Sequence, residues 1–161
     1  YKLGNWQFIT ENQNPALYQL TNVLTESYQY DRDRLVQVTD ETSGISTVYL
    51  WAYNGTHPVA EIRNATFANV VQSLGGDYMV NQLYNSYTPN MNVVNNLRNV
   101  LINSQVTTMT FKLLVGVTSI TDPRGIKTSY EYDSFGNLKN IRDLNNRLLQ
   151  TIQVHYIGEY L

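Results

Sequence analysis

The spacing of apolar residues divides the chain into three zones. Residues 1–64 and 105–161 are dominated by runs in which apolar and polar positions alternate, which is typical of half-buried β-strands. Residues 65–104 instead space their apolar side chains three and four positions apart, which is typical of amphipathic helices. We therefore predict a β-rich α+β fold: consecutive antiparallel hairpins in two blocks, with a three-helix insertion between them packed on the sheet.

Aspartates divide the last zone into short segments. Asp122, Asp133 and Asp143 each begin a four-residue sequence that ends in Gly125, Gly136 or Asn146. Asp first and Gly fourth are the preferred residues of a type I turn. The runs between and around these turns are residues 117–121, 126–132, 138–142 and 148–156. Short strand-like runs separated by turns predict successive hairpins.

The first zone follows the same rules less regularly. Asp40 opens a turn that Gly44 closes, and a strand follows over residues 46–53. Alternation along that strand places Tyr49, Trp51 and Tyr53 on one face. The opposite face is also apolar, so we expect this strand to be covered on both sides.

The middle zone predicts three short helices. Asn64 is a candidate N-cap of the first, and Gly75 and Gly76 are its stop signal. Thr88 and Pro89 are the expected cap and first residue of the third helix. Helices this short are not stable alone in water, so they must dock on the sheet.

The composition of the chain argues against several classes of function. Hydrophobic residues make up 42% of the 161 residues and charged residues 15%, which argues against disorder. The net charge is −2 and the basic residues are scattered, so we expect no nucleic-acid binding. The absence of cysteine excludes disulfides and thiolate metal sites, and no apolar run is long enough to span a membrane. Because the chain begins at Tyr1 without a signal peptide, we expect a piece of a longer protein.

No catalytic, cofactor-binding or metal-binding motif is present. Two carboxylates about 5–10 Å apart are needed for glycoside cleavage, and the turn aspartates are the candidates for such a pair. Their regular spacing favours a structural role instead, in which each carboxylate accepts hydrogen bonds from backbone amides. We therefore interpret Asp31, Asp122, Asp133 and Asp143 as turn formers and the chain as non-enzymatic.

The same residues carry a family resemblance. Residues 130–138 (YEYDSFGNL) with 141–143 (IRD) resemble the tyrosine/aspartate (YD) repeat of Rhs-type proteins. Residues 118–125 resemble the end of another copy, and residues 28–35 (YQYDRDRL) a third, with Asp in place of the family's Gly. Residues 116–122 align with residues 137–143, which gives a period of 21 residues that is typical of repeat architectures. Residues 49–55 (YLWAYNG) and 59–62 (VAEI) are similar to segments of Bacteroidetes-type Rhs-repeat proteins.

The resemblance implies a function as well as a fold. It implies ribbons of hairpins that form a hollow extracellular or cell-surface shell, which encloses a toxin in some members. The expected partners are neighbouring repeats of the same parent chain, and a strand-edge homodimer of the isolated piece, with no cofactor. An alternative from the residues themselves is a carbohydrate-binding surface, because flat rings such as Tyr49, Trp51 and Tyr53 stack on sugars.

Overall fold

The computed structural model describes residues 25–153, whose nine strands form one antiparallel sheet. The strands follow chain order from edge to edge, so each pairs with the strand before it. Their bounds are β1 Glu26–Asp31, β2 Arg34–Asp40, β3 Ile45–Ala52, β4 His57–Arg63, β5 Gln105–Lys112, β6 Gly116–Thr121, β7 Lys127–Tyr132, β8 Leu138–Arg142 and β9 Leu148–Thr151. Helices α1 Phe67–Leu74, α2 Asp77–Asn85 and α3 Met91–Val100 connect β4 to β5. The predicted β-rich class, with consecutive hairpins and three helices, is confirmed.

Consecutive turns of this sheet lie at alternate ends, because each strand reverses the direction of the one before it. The turns after β1, β3, β5 and β7 lie at one end, which we call the tip end. The turns after β2, β6 and β8 lie at the other end, which we call the insertion end because the helices leave the sheet there.

The predicted boundaries differ from the structure in places. The predicted strand 148–156 begins as β9 at Leu148, but its residues 154–156 lie outside the described part of the chain. The same is true of residues 1–24 of the first predicted block. In the insertion, α1 is capped by Thr66, whose hydroxyl accepts from the Asn69 amide, and not by Asn64.

Two further cap predictions have clear outcomes. Asn64 adopts a left-handed φ of 65°, and its side chain donates to the Asn103 carbonyl instead of capping a helix. The third helix is capped by Asn90 and starts at Met91, so the predicted start at Thr88 and Pro89 is wrong. Gly75 does end α1, in the left-handed conformation at φ 110°.

The helices cover one face of the sheet and form the core with it. We call this the helix-covered face and the opposite one the open face. The buried core side chains from the strands include Val48, Leu50, Ile62 and Val106, and those from the helices Val70, Leu83, Val94 and Leu97. Burying several aliphatic side chains of this size, at about 1.5–3 kcal/mol each, stabilises helices and sheet together.

The insertion does not interrupt the sheet. Strand β4 pairs with β5 from Ala60↔Thr108 to Arg63↔Gln105, although the helical segment lies between them in sequence. The first and last zones of the sequence therefore meet in one continuous ladder.

Four hairpins share an irregularity that the sequence did not predict. Each register shifts by one residue near the tip end, because the returning strand carries one extra residue. An aromatic residue follows the shift on every outgoing strand: Tyr30, Trp51, Phe111 and Tyr132. The hairpins before and after the insertion are thus built alike.

Candidate functional site

The Asp122 turn is closed by its own carboxylate. One oxygen, Oδ1, accepts from the amide of Arg124 at 3.0 Å and from that of Ile126 at 2.8 Å. The main chain adds bonds from Gly125 to the Asp122 carbonyl and from Asp122 to the Ile126 carbonyl. The hydrogen bond from Ile126 is the main reason that the pKa of Asp122 lies below its ordinary value.

The next two turns repeat this pattern of bonds. Oδ1 of Asp133 accepts from the second and fourth residues after it, and so does Oδ1 of Asp143. Gly136 and Asn146 take the left-handed conformation in these turns, at φ 85° and 63°. Asparagine tolerates that conformation better than most residues, which explains why the turn at Asp143 needs no glycine.

Two other aspartates form different turns. Asp40 accepts from the amides of Thr42 and Ser43, and hydrogen bonding by Ser43 is the largest cause of its lowered pKa. Asp31 ends β1 before a two-residue turn in which Arg32 and Asp33 both have positive φ. The Asp31 carboxylate contacts the Arg32 guanidinium, so this turn lacks the shared pattern of the later ones.

The geometry separates the four predicted turn aspartates. Asp31 and Asp133 lie at the tip end, whereas Asp122 and Asp143 lie at the insertion end. Within residues 25–153, no group of three or more acidic, histidine or cysteine side chains is arranged to hold a metal ion. None of the helices in that range is long and apolar enough to cross a bilayer.

The predicted aromatic stripe is only partly present. Tyr53 follows β3 with φ 53° and is only 5% exposed, so its expected place beside Tyr49 and Trp51 is wrong. Its ring packs edge-on against His57 and Phe111, and its hydroxyl accepts from the Phe111 amide at 3.0 Å. The period-two pattern failed here because the chain turns one residue before the pattern ends.

The two remaining rings are partly covered. The Trp51 indole donates to the Leu35 carbonyl at 2.8 Å, and the Arg34 guanidinium lies over its ring. Burial, with a smaller contribution from Glu61, raises the pKa of Tyr49. Two half-buried rings offer a sugar a much smaller platform than the three expected.

Aromatic residues at the bulges connect neighbouring hairpins, a role that the sequence reading missed. Trp51 reaches back to the strand before it through Leu35, and the Tyr132 hydroxyl donates to the Val117 carbonyl at 2.8 Å. Phe111 lies against the His57 ring on the preceding strand, with centroids 4.6 Å apart. We call the aromatic residue at each of the four tip-end bulges a hook. The sequence signal for two hooks was the tyrosine that directly precedes the turn aspartate.

A polar cluster joins β7 and β8. Glu131 accepts from Arg142 at 2.7 Å and from Asn140 at 2.8 Å, and these bonds lower its pKa, with Arg142 as the larger cause. The hydrophobic core cluster includes no residue of these two strands. The polar cluster fixes the pairing of the two strands by charge instead of by packing.

The repeated turn, bulge and hook define the class of the protein as a β-hairpin repeat. Residues 115–151 match the family model described as RHS Repeat, so this part of the chain is similar to RHS repeats. The match spans β6 to β9, which contain the three turns with the shared bond pattern. No curated protein matches the chain. The expected Bacteroidetes-type origin stays a prediction.

Proposed function

We propose that this chain is a non-catalytic, architectural section of a longer RHS-repeat ribbon. The observation that carries the proposal is the uninterrupted ladder of hairpins, in which every described strand pairs only with its sequence neighbours. Such an array grows by adding units that contact only the previous one. The carboxylates of Asp122, Asp133 and Asp143 accept hydrogen bonds within their own turns, which supports a structural role over a catalytic one.

The two edge strands support continuation of the ribbon. Tyr28 and Tyr30 on β1 and Leu148 and Leu149 on β9 are all exposed within the described part of the chain. An edge strand with exposed apolar side chains tends to pair with another strand. Neighbouring repeats of the same parent chain are the partners we propose, and the isolated piece would associate through these edges with a second copy.

We propose that the protein is located at the cell surface or in the extracellular medium. The support is the match of residues 115–151 to the RHS Repeat model, because the resemblance to this family implies a shell outside the cell. Protease treatment of intact cells that express the parent protein tests this: the repeat should be cleaved without lysis. Protection until the cells are broken would contradict the proposal.

A tandem duplication tests the ribbon. A second copy of residues 133–153 inserted after Gln153 adds one 21-residue period, which supplies two strands and two turns, one at each end of the sheet. Both the free energy of unfolding and its dependence on urea should rise, since more surface is buried in a single cooperative unit. A scrambled insert of the same composition is the control. An insert that unfolds separately, or leaves the urea dependence unchanged, would contradict the ribbon.

A further inference from the structure

A cavity of about 360 Å³ opens to solvent between the three helices of the insertion. Its floor includes the buried side chains of Leu74 from α1, Leu83 from α2 and Val94 from α3. The volume is within the range of small-ligand sites, which is about 300–1,000 Å³. The cavity is lined only by residues of the insertion, so the turns and hairpins of the ribbon do not account for it.

The connection between α2 and α3 forms one wall of the cavity and is fixed to the sheet. The Tyr53 amide donates to the Ser86 carbonyl at 2.8 Å, and the Gly55 amide donates to the Tyr84 carbonyl at 3.2 Å. Within the connection, the Ser86 hydroxyl accepts from the Thr88 amide at 3.2 Å. A wall held in this way is already ordered, so a ligand need not supply the free energy to order it.

The rim of the cavity carries uncharged polar groups. Gln82 donates through Nε2 to the Tyr78 hydroxyl at 2.7 Å, which leaves its carbonyl oxygen as an acceptor. Asn90 accepts from the Asn92 amide through Oδ1, which leaves its Nδ2 group as a donor. The Thr88 hydroxyl can both donate and accept. The rim therefore offers both donors and acceptors, as a ligand with hydroxyl groups requires.

The charges of the insertion lie away from the cavity. Residues 65–104 contain only two charged side chains, Asp77 and Arg98, and neither lines it. The Arg98 guanidinium donates to Asn95 and to groups of the sheet instead. A charged ligand would lose its hydration against the aliphatic floor and meet no opposite charge, so the cavity favours an uncharged one.

Two exposed tyrosines lie beside the cavity. Tyr78 is 69% exposed and holds Gln82 through its hydroxyl, and Tyr87, between Ser86 and Thr88, is 61% exposed. Each ring presents a flat apolar surface with a polar end. A sugar residue has a matching division, because its C–H groups form an apolar face and its hydroxyl groups lie around the edge.

We propose that this cavity binds a neutral sugar residue of a glycan. Its apolar face packs on the aliphatic floor and the neighbouring tyrosines, and its hydroxyl groups bond to Gln82, Thr88 and Asn90. The inference does not depend on the ribbon, and it places the glycan on the helices and not on the Tyr49 and Trp51 surface. The insertion would then be the part of the chain that recognises a ligand, while the hairpins carry it.

A glycan array that contains neutral, sialylated and sulfated glycans tests the proposal with the full chain as the probe. We expect binding to neutral glycans, and the one with the strongest signal is then titrated in solution. Gln82→Met should weaken its binding about fivefold, because one hydrogen bond is lost at an exposed position that folding does not need. Gln72→Met is the matched control, since Gln72 is exposed on α1 outside the cavity and should leave the affinity unchanged.

The other outcomes each count against the site. Binding to no glycan on the array, or only to the charged ones, would overturn the proposal. Equal affinity of Gln82→Met and Gln72→Met would also overturn it, because the glycan would then lie elsewhere on the chain. The tandem duplication tests the ribbon separately, so either proposal can fail while the other stands.

Discussion

Arg98 on α3 donates from Nε to the main-chain carbonyl of Asp122, 3.0 Å away. The same guanidinium donates to the Thr121 carbonyl, the Thr108 hydroxyl and the Asn95 side chain. One cation thus joins the helical insertion to the first of the aspartate turns. Burial lowers the pKa of Arg98, and its hydrogen bonds compensate for that burial.

Replacing Arg98 should weaken the contact between the helical insertion and the Asp122 turn. Arg98→Met removes donors from two carbonyls and a hydroxyl that the helices shield, so we expect a loss of about 2–4 kcal/mol in the free energy of unfolding. Arg124→Met is the control, because that side chain is 83% exposed and should change stability by less than about 0.5 kcal/mol. Urea denaturation measures both, and similar losses would contradict the role of Arg98.

Gly55 should tolerate no side chain. Its φ is 70°, and a Cβ would overlap the ring of Tyr84 on α2. Gly44 has the same φ but nothing within 4 Å, so Gly44→Ala measures the backbone cost alone, about 1 kcal/mol. We expect Gly55→Ala to cost at least about 2 kcal/mol more in thermal or urea unfolding. If Gly55→Ala and Gly44→Ala reduce the stability equally, α2 moves away from residue 55 without cost and the prediction is contradicted.

Acid should weaken the Asp122 turn and the Glu131 cluster between β7 and β8. Asp122 and Glu131 have pKa values below their ordinary 3.8 and 4.5, so the folded state binds their protons less readily than the unfolded state. Their stabilisation is therefore complete above those ordinary values and is lost as the pH falls through the lowered ones. The free energy of unfolding can be measured with urea at successive pH values. Below about pH 5 it should fall less steeply in Asp122→Asn and Glu131→Gln than in the unchanged chain. If the free energy of unfolding of the two variants falls with pH as steeply as that of the unchanged chain, the prediction is contradicted.

Helices and sheet should unfold together. Leu97→Ala empties a fully buried position between α3 and the sheet and should cost about 3 kcal/mol. The helical circular dichroism signal and the tryptophan fluorescence should shift by the same amount. Leu149→Ala on the exposed edge is the control and should cost less than about 1 kcal/mol. Separate transitions for the two signals would show that the insertion folds independently.

Local sequence rules captured the turns and the class of fold. Asp122, Asp133 and Asp143 carry their signal in the residue itself, because a short carboxylate accepts from nearby amides whatever the tertiary context. The helices were also predictable, since their apolar faces repeat with the helical period. The helix starts were not, because Asn64 and Thr88 fit the cap preference as well as the true caps do.

The hooks and the buried tyrosine depended on tertiary structure. A bulge adds a residue without a sequence signature of its own, so alternation could not identify Trp51 or Phe111 as links between hairpins. Tyr53 continued the pattern of β3 in sequence but left the strand in a left-handed conformation. No sequence pattern marked Arg98 as a link to the sheet, and only the docking of α3 on β5 showed its partners.

The pairing of β4 with β5 across the helices has an evolutionary consequence. Strands β4 and β5 pair through their own main-chain hydrogen bonds, so a folded module can stand between them in sequence without interrupting the ladder. New surfaces can then be added to such an array while the hairpin repeats themselves stay unchanged. The three helices are one such module, and the shared hydrophobic core and hydrogen bonds that include those of Arg98 join them to the sheet.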